Sequence, residues 1–110
     1  LKDMIISGGE HVYSTEVENA MYQHPDVAQC AVIGVPDEKW GERVHAIVVP
    51  RAGTHPEPAE LMAHCRRLIA DYKCPRSVSF REEPLPLSGA GKVLKTELRK
   101  PFWDGRTRQV

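Results

Sequence analysis

The residue best placed to do chemistry is Lys92, which follows Gly89-Ala90-Gly91 in the tail Pro84-Leu85-Pro86-Leu87-Ser88-Gly89-Ala90-Gly91-Lys92-Val93-Leu94-Lys95. A lysine framed by glycines rides on a backbone with few steric restraints, and its ammonium can reach a phosphate or carboxylate as a point charge with three donors. A solvated lysine in a flexible turn is the ordinary alternative, and the residues by themselves leave both open. A phosphate-cradling P-loop is excluded, because the first glycine of GxxxxGK falls on Pro86 and Val93 stands where a Ser or Thr is required. Lys95, in the same tail but without glycines around it, reads as a bystander.

A second candidate is Gly8-Gly9, which closes the run Lys2-Asp3-Met4-Ile5-Ile6-Ser7. Paired glycines after a strand permit close approach of a ligand or another backbone, with amide groups free to donate; equally they make a hairpin turn. The five histidines, His11, His24, His45, His55 and His64, show no metal-ligand spacing with Cys30, Cys65 or Cys74, so no metal is expected.

The composition bounds what these residues serve. A chain of 110 residues affords one core. It is 41% hydrophobic and 27% charged, which is globular composition and not that of a disordered tail. Fifteen basic and fifteen acidic residues cancel, leaving no excess field to hold a phosphate backbone or anionic membrane, so nucleic acid is not an expected partner. Three widely spaced cysteines point to a reducing, cytoplasmic setting. No apolar run reaches the roughly 18–20 residues of a membrane span, and the N-terminus has no signal pattern. The chain opens on Leu-Lys-Asp, so a piece cut from something longer is expected.

The elements that must position these residues are legible in outline. Met4 to Ser7 and His11 to Tyr13 form a hairpin around Gly8-Gly9. Thr15 and Glu18 make a capping box for a helix carrying Val17, Ala20, Met21 and His24 on one face, stopped by Pro25. Residues 27–35 and 43–49 read as two antiparallel strands joined by a polar turn, with Val44, Ala46 and Val48 facing inward. The stripe Leu61, Met62, Cys65, Leu68, Ile69 and Tyr72, opened by Pro58, predicts the longest helix. Residues 77–81 give a third strand and 94–100 a closing helix. The expected class is α+β: a small antiparallel three-stranded sheet flanked by helices, with an N-terminal β-hairpin.

Three segments in order carry a family resemblance: Lys2-Asp3-Met4-Ile5-Ile6-Ser7-Gly8-Gly9-Glu10 with the following His-Val-Tyr-Ser-Thr-Glu-Val-Glu; Gly34-Val35-Pro36-Asp37-Glu38-Lys39-Trp40-Gly41-Glu42; and Leu85-Pro86-Leu87-Ser88-Gly89-Ala90-Gly91-Lys92-Val93-Leu94-Lys95-Thr96-Glu97-Leu98-Arg99. Together they resemble signatures of the C-terminal domain of acyl-CoA synthetases, notably bacterial fatty-acyl-CoA ligases of the adenylate-forming, AMP-binding superfamily. The resemblance covers residue 1 to about residue 100, and it implies that the whole of 1–110 is that domain without its large N-terminal adenylation domain.

The resemblance further implies a reaction in two halves. A carboxylate attacks the α-phosphate of ATP to give acyl-adenylate and pyrophosphate, and then the CoA thiol displaces AMP. Lys92 matches the lysine that serves adenylation, and Lys2 matches the hinge about which the domain swings. Gly8 and Gly9 match the strand bordering the pantetheine channel, while Trp40, Tyr72 and Arg76 match positions near the CoA nucleotide. Tyr72 equally ends an apolar stripe and reads as core; Cys74 stands where some relatives carry a basic residue. His11, beside the glycines, is placed to face the ligand in the thioester state. ATP and Mg2+ are expected mainly on the absent N-terminal domain, which is also the expected partner, with CoA and a carboxylic acid, fatty by overall resemblance, as substrates. Two other readings stay open: an adenylation fragment whose thiol acceptor is a carrier protein, and a free-standing module binding CoA or a nucleotide.

Overall fold

The computed structural model describes residues 3–105, so Lys2, the expected hinge, lies outside the described residues. The fold is α+β as expected. Strands β1 (Met4–Ser7) and β2 (Glu10–Tyr13) pair antiparallel, with Ser7 opposite Glu10. Gly8 and Gly9 are the two-residue turn between them at φ +59° and +83°, the double positive φ that a tight hairpin of this twist demands. Helix α1 (Ser14–Tyr22) follows directly, and then the long hairpin of β3 (Val27–Asp37) and β4 (Gly41–Pro50).

Both faces of that hairpin are covered, which explains its near-continuous run of Val, Ile and Ala. Val32, Val44, Ala46 and Val48 pack with Val17, Met21, Leu61 and Cys65 under α1 and α2 (Pro58–Arg66). Ala31, Ile33, Val35, Ile47 and Val49 pack with Leu85, Leu98 and Phe102 under the tail and α3 (Lys95–Trp103). The inward reading of Val44, Ala46 and Val48 is therefore correct, but their alternate neighbours are buried too.

Three details differ from the sequence reading. First, the strand over 77–81, β5 (Ser77–Phe80), joins β4 in parallel and not antiparallel. The connection 51–76 carries α2 and is long enough to cross over and bring the chain back in the direction of β4. The N-terminal hairpin also joins this sheet, through Ser7 against Gly41, giving the order β2-β1-β4-β3 with β5 alongside β4. Second, α2 stops at Arg66 and is no longer than α1 or α3, each nine residues. The amides of Leu68 and Ile69 both bond to the Cys65 carbonyl, so the last turn tightens and leaves the helix axis. Leu68 is thereby exposed while Ile69 still packs on the core.

Third, the capping box does not form. The residue preceding α1 is Tyr13, with no side-chain cap. Glu18 instead accepts from the Val32 amide at 2.9 Å. Its use belongs to the outer edge of β3, whose unpaired backbone groups would otherwise invite another strand. One turn on, the Tyr22 hydroxyl meets the Cys30 amide and carbonyl at 3.0 and 3.4 Å, and the Trp103 indole donates to the Gly34 carbonyl at 2.8 Å. Through Trp103 the end of α3 thus packs back on the domain. Among the described residues no helix is long and apolar enough to cross a membrane.

His45 locks β4 to β5. The residue is 4% exposed, its Nδ1 and Nε2 lie 2.7 and 2.8 Å from the Ser77 and Ser79 hydroxyls, and the Phe102 ring lies against it, tilted by 54° with centroids 4.9 Å apart. Burial, helped by the nearby Arg43 charge, lowers its pKa to about 4. The unfolded chain, titrating near the ordinary histidine value, then takes up a proton that the folded chain refuses. This stabilisation is fully present above about pH 6.5 and is lost as the pH falls towards about 4, by up to about 3 kcal/mol. We expect the urea midpoint of the chain to drop between pH 7 and pH 4.5, and His45→Gln to show a shallower drop. Identical pH profiles for the two proteins would refute this role of His45.

Candidate functional site

The first constellation forms where the β3–β4 turn meets the glycine turn. Asp37 Oδ1 accepts the amides of Lys39 and Trp40 at 2.8 and 2.9 Å. Those hydrogen bonds, Trp40's first, together with Arg43 hold its carboxyl below the usual range. This Asx-type turn fixes Trp40. The Trp40 carbonyl in turn accepts the Gly8 amide at 2.8 Å. A Cβ on Gly8 would stand 2.5 Å from Trp40 Cε3, whereas one on Gly9 would meet none of the described residues within 4 Å.

Two cations flank the indole: Arg76 Cζ and Lys39 Nζ each lie 4.8 Å from the ring centroid, within cation–π range. Arg76 is held there by its own amide, which donates to the Val44 carbonyl at 2.8 Å and extends the β4–β5 ladder. Gly8, Trp40 and Arg76, distant in sequence, are therefore one surface. Lys39 belongs with them and was missed, although its place beside Trp40 in a polar turn was a usable signal.

Tyr72 is not core. It stands on a 3-10 turn (Asp71–Lys73), 40% exposed, with the Lys73 ammonium 5.7 Å from its ring. Lys73 is itself tied to Glu16 at 3.0 Å. Cys74 is buried with its thiol towards the Ile69 and Ala70 carbonyls. Burial pushes that thiol up, so it offers a phosphate nothing. His11 is exposed on β2, opposite Ile6.

The second constellation surrounds Lys92. Its loop is more ordered than a string of glycines suggests. Leu87 bridges Val93, the Ser88 amide donates to the Lys92 carbonyl at 2.8 Å, and the Leu94 amide donates to the Pro86 carbonyl at 2.8 Å. The Ser88 hydroxyl accepts the Lys92 amide at 3.2 Å, and Gly91 takes φ +83° to turn the chain. Lys92, on the rung that closes this loop, is exposed and borders a cleft of about 650 Å³ with Tyr13, Glu18, Tyr22 and Lys95.

Lys95 is no bystander. Its ammonium contacts the Asp3 carboxylate directly, Glu18 at 2.8 Å and the Ser14 hydroxyl at 2.9 Å, and Arg99 reaches the other Asp3 oxygen at 3.0 Å. Burial alone would raise the pKa of Asp3, but Lys95, Ser14 and Arg99 outweigh it and hold the carboxyl low. Helical spacing of 95 and 99, one turn apart, was the available signal. The two constellations are separated by β1: Asp3 precedes it and Gly8 follows it, roughly 16 Å apart along an extended strand.

Folding also gathers His24, Asp26 and Glu60 within 4.8 Å, which sequence spacing did not suggest. His24 Nδ1 accepts the Asp26 amide at 3.1 Å, so Nε2 carries the proton and donates to Glu60 at 2.8 Å. In this arrangement the imidazole is a hydrogen-bond bridge between the end of α1 and the start of α2.

A small α+β domain with a glycine-framed lysine at one end of a strand and a Gly-Trp-Arg surface at the other has clear relatives. The profile described as the AMP-binding enzyme C-terminal domain matches residues 16–92, and the chain belongs to that family. It is 54% identical over 102 residues to a feruloyl-CoA synthase of Amycolatopsis, covering 93% of this chain and 21% of that protein. It is 42% identical over 110 residues to the fatty acid–[acyl-carrier-protein] ligase ScoC of Streptomyces coeruleorubidus, covering all of this chain and 21% of that one. Among solved structures, a Mycobacterium tuberculosis fatty acyl CoA synthetase superposes with a TM-score of 0.84 at 44% identity, over 96% of this chain and 20% of that chain. The chain thus spans about one-fifth of the length of these relatives.

The two glycines have separable costs. Gly9→Ala should destabilise the chain by about 1 kcal/mol through its positive φ alone. Gly8→Ala should lose more, about 2 kcal/mol or above, because the Trp40 ring must also move. Urea denaturation of both variants checks this, and equal losses would refute the packing of Gly8 against Trp40.

Proposed function

We propose that this chain is the mobile C-terminal domain of an ATP-dependent acid–thiol ligase that converts a carboxylate, ATP and CoA to acyl-CoA, AMP and pyrophosphate. The observation that carries this reading is the separation of the exposed Lys92 from the Gly8–Trp40–Arg76 surface by the length of β1, which suits a domain presenting one end to each half-reaction.

In adenylation, negative charge gathers on phosphate and carboxylate oxygens, and the exposed ammonium of Lys92, held on a turned loop, neutralises it where water is excluded. ATP and Mg2+ belong mainly to a large N-terminal domain in this reading. The carboxylates that share the Lys92 cleft, Asp3 and Glu18, are committed to Lys95 and Arg99 and form no ligand set for the metal. Lys2 adjoins Asp3 in sequence and serves as the hinge, since a few terminal residues absorb the torsional change of a domain swing.

In thioester formation the glycine turn faces the pantetheine path. Gly9 is the informative residue, because its missing Cβ clears space that no described residue fills. Trp40 with Arg76, and Tyr72 four residues earlier, supply rings and cations for the CoA nucleotide. A carrier-protein acceptor is the second reading, favoured by the 42% identity to a ligase named for an acyl-carrier protein. Acid selection lies outside this domain, since near relatives are named for both an aromatic and a fatty acid. The cysteines are free and buried, which suits the cytoplasmic setting we propose.

The 110-residue chain alone should form no acyl-CoA. In the full-length ligase, Lys92→Ala should slow pyrophosphate release by on the order of 10²–10³, while thioester formation from preformed acyl-adenylate and CoA stays near the parental rate. Normal adenylation, or equal loss of both steps, would overturn the role of Lys92. Trp40→Ala should raise the KM for CoA several-fold; an unchanged KM would favour the carrier-protein acceptor.

A further inference from the structure

The bond between the first described residue and the tail is the least expected contact in the molecule. Asp3 and Lys95 are 92 positions apart in sequence, yet their side chains are in direct contact. Around them sit Ser14, Glu18 and Arg99. The Lys95, Glu18, Arg99 and Asp3 side chains are only 16%, 17%, 18% and 27% exposed, so solvent screens these pairs far less than those on open surface. The Ser14 amide donates to the Asp3 carbonyl at 3.0 Å and its hydroxyl lies 2.9 Å from the Asp3 carboxylate, which fixes the backbone of Asp3 as well as its side chain. Glu18, at the other side, is anchored to β3 through the Val32 amide.

Lys95 is the first residue of α3, and only Val93 and Leu94 separate it from Lys92. The loop leading back from it is itself closed by the Leu87–Val93 bridge. The path from the Asp3 carboxylate to the Lys92 backbone is therefore short, and hydrogen bonds restrain the residues along it.

Building on the proposed role of Lys92, we infer that the Asp3–Lys95–Arg99 ion cluster is a positioning device for that lysine, coupling the point where the chain enters β1 to the loop that carries the ammonium. When the domain swings about the residues preceding Asp3, the cluster makes the Lys92 loop move with the sheet as one body. Lys95 and Asp3 act through Lys92 and do not touch the reacting atoms. Small misplacement of a charged group is enough to matter, since a displacement of about 1 Å can cost on the order of a hundredfold in rate.

The test measures both half-reactions in the full-length ligase, with kcat and KM determined separately, for Lys92→Ala, Asp3→Asn, Lys95→Met and Lys95→Arg. Asp3→Asn and Lys95→Met should lower kcat for pyrophosphate release roughly tenfold or more, with the KM values for ATP and acid little changed and thioester formation from preformed acyl-adenylate within about twofold. Lys95→Arg, which keeps the cation, should recover most of the adenylation rate. Asp3→Asn is nearly isosteric and keeps a partner for Ser14, so it decides the matter if Lys95→Met fails to fold. Parental adenylation by Asp3→Asn and Lys95→Met while Lys92→Ala is impaired would overturn the inference alone. Equal loss in both half-reactions would also overturn it, by reducing the cluster to a folding element. Normal adenylation by Lys92→Ala would remove the reading of Lys92 and this inference with it.

Discussion

Everything in this domain is arranged around β4, a strand that needs partners on both edges and cover on both faces. Its residues from Val44 to Val49 are all buried. An extended strand in that position presents alternate side chains to opposite faces and backbone groups to both sides, and each must be satisfied away from water. β3 takes one edge along its whole length, and β1 and β5 divide the other. The faces require two layers of cover. The first is supplied by α1 and α2; the second has to come from the tail, because no earlier segment remains. That requirement brings α3 back beneath the sheet and delivers Lys95 to Asp3.

The ion pairs differ in consequence by their burial. Glu97 and Lys100 form an exposed pair, 54% and 69% accessible, of a kind worth about 0–1 kcal/mol and often nothing measurable. The Asp3, Glu18, Lys95 and Arg99 group sits well inside the surface, where removing one partner leaves a partly desolvated charge, a loss that reaches about 3–5 kcal/mol for fully buried pairs. His45 achieves a similar fixation without charge, by staying neutral between two hydroxyls. Both contacts tie distant parts of the chain to the sheet, while the Lys92 side chain stays exposed.

The surface around Trp40 rests on the same economy of backbone groups. A turn held by Asp37 sets the tryptophan carbonyl to receive the Gly8 amide, so the glycine hairpin and the β3–β4 turn fix each other. Arg76 joins because the parallel pairing of β5 begins beside it. Arg76 could not be placed against Trp40 without the crossover connection that returns β5 alongside β4.

The sequence by itself determined the strongly patterned features. The glycine pair had to be a turn or a close approach, the Val- and Ile-rich runs had to be strands, and Lys92 after its glycines had to be carried exposed on a turn; each follows from local sterics or a period of two. Family membership was legible too, from three ordered segments. The tertiary structure alone decided which partner each polar side chain takes. Glu18 has the spacing of a capping residue, yet Lys95 and an open strand edge compete for it and win. Leu68 and Tyr72 have helical spacing, yet α2 ends first because the chain must turn to feed β5. The direction of β5, the neutrality of His45 and the junction of Asp3 with Lys95 all depend on contacts between residues far apart in sequence. Periodicity reports which face of an element is apolar; it carries no information about what that face, or a charge beside it, will meet.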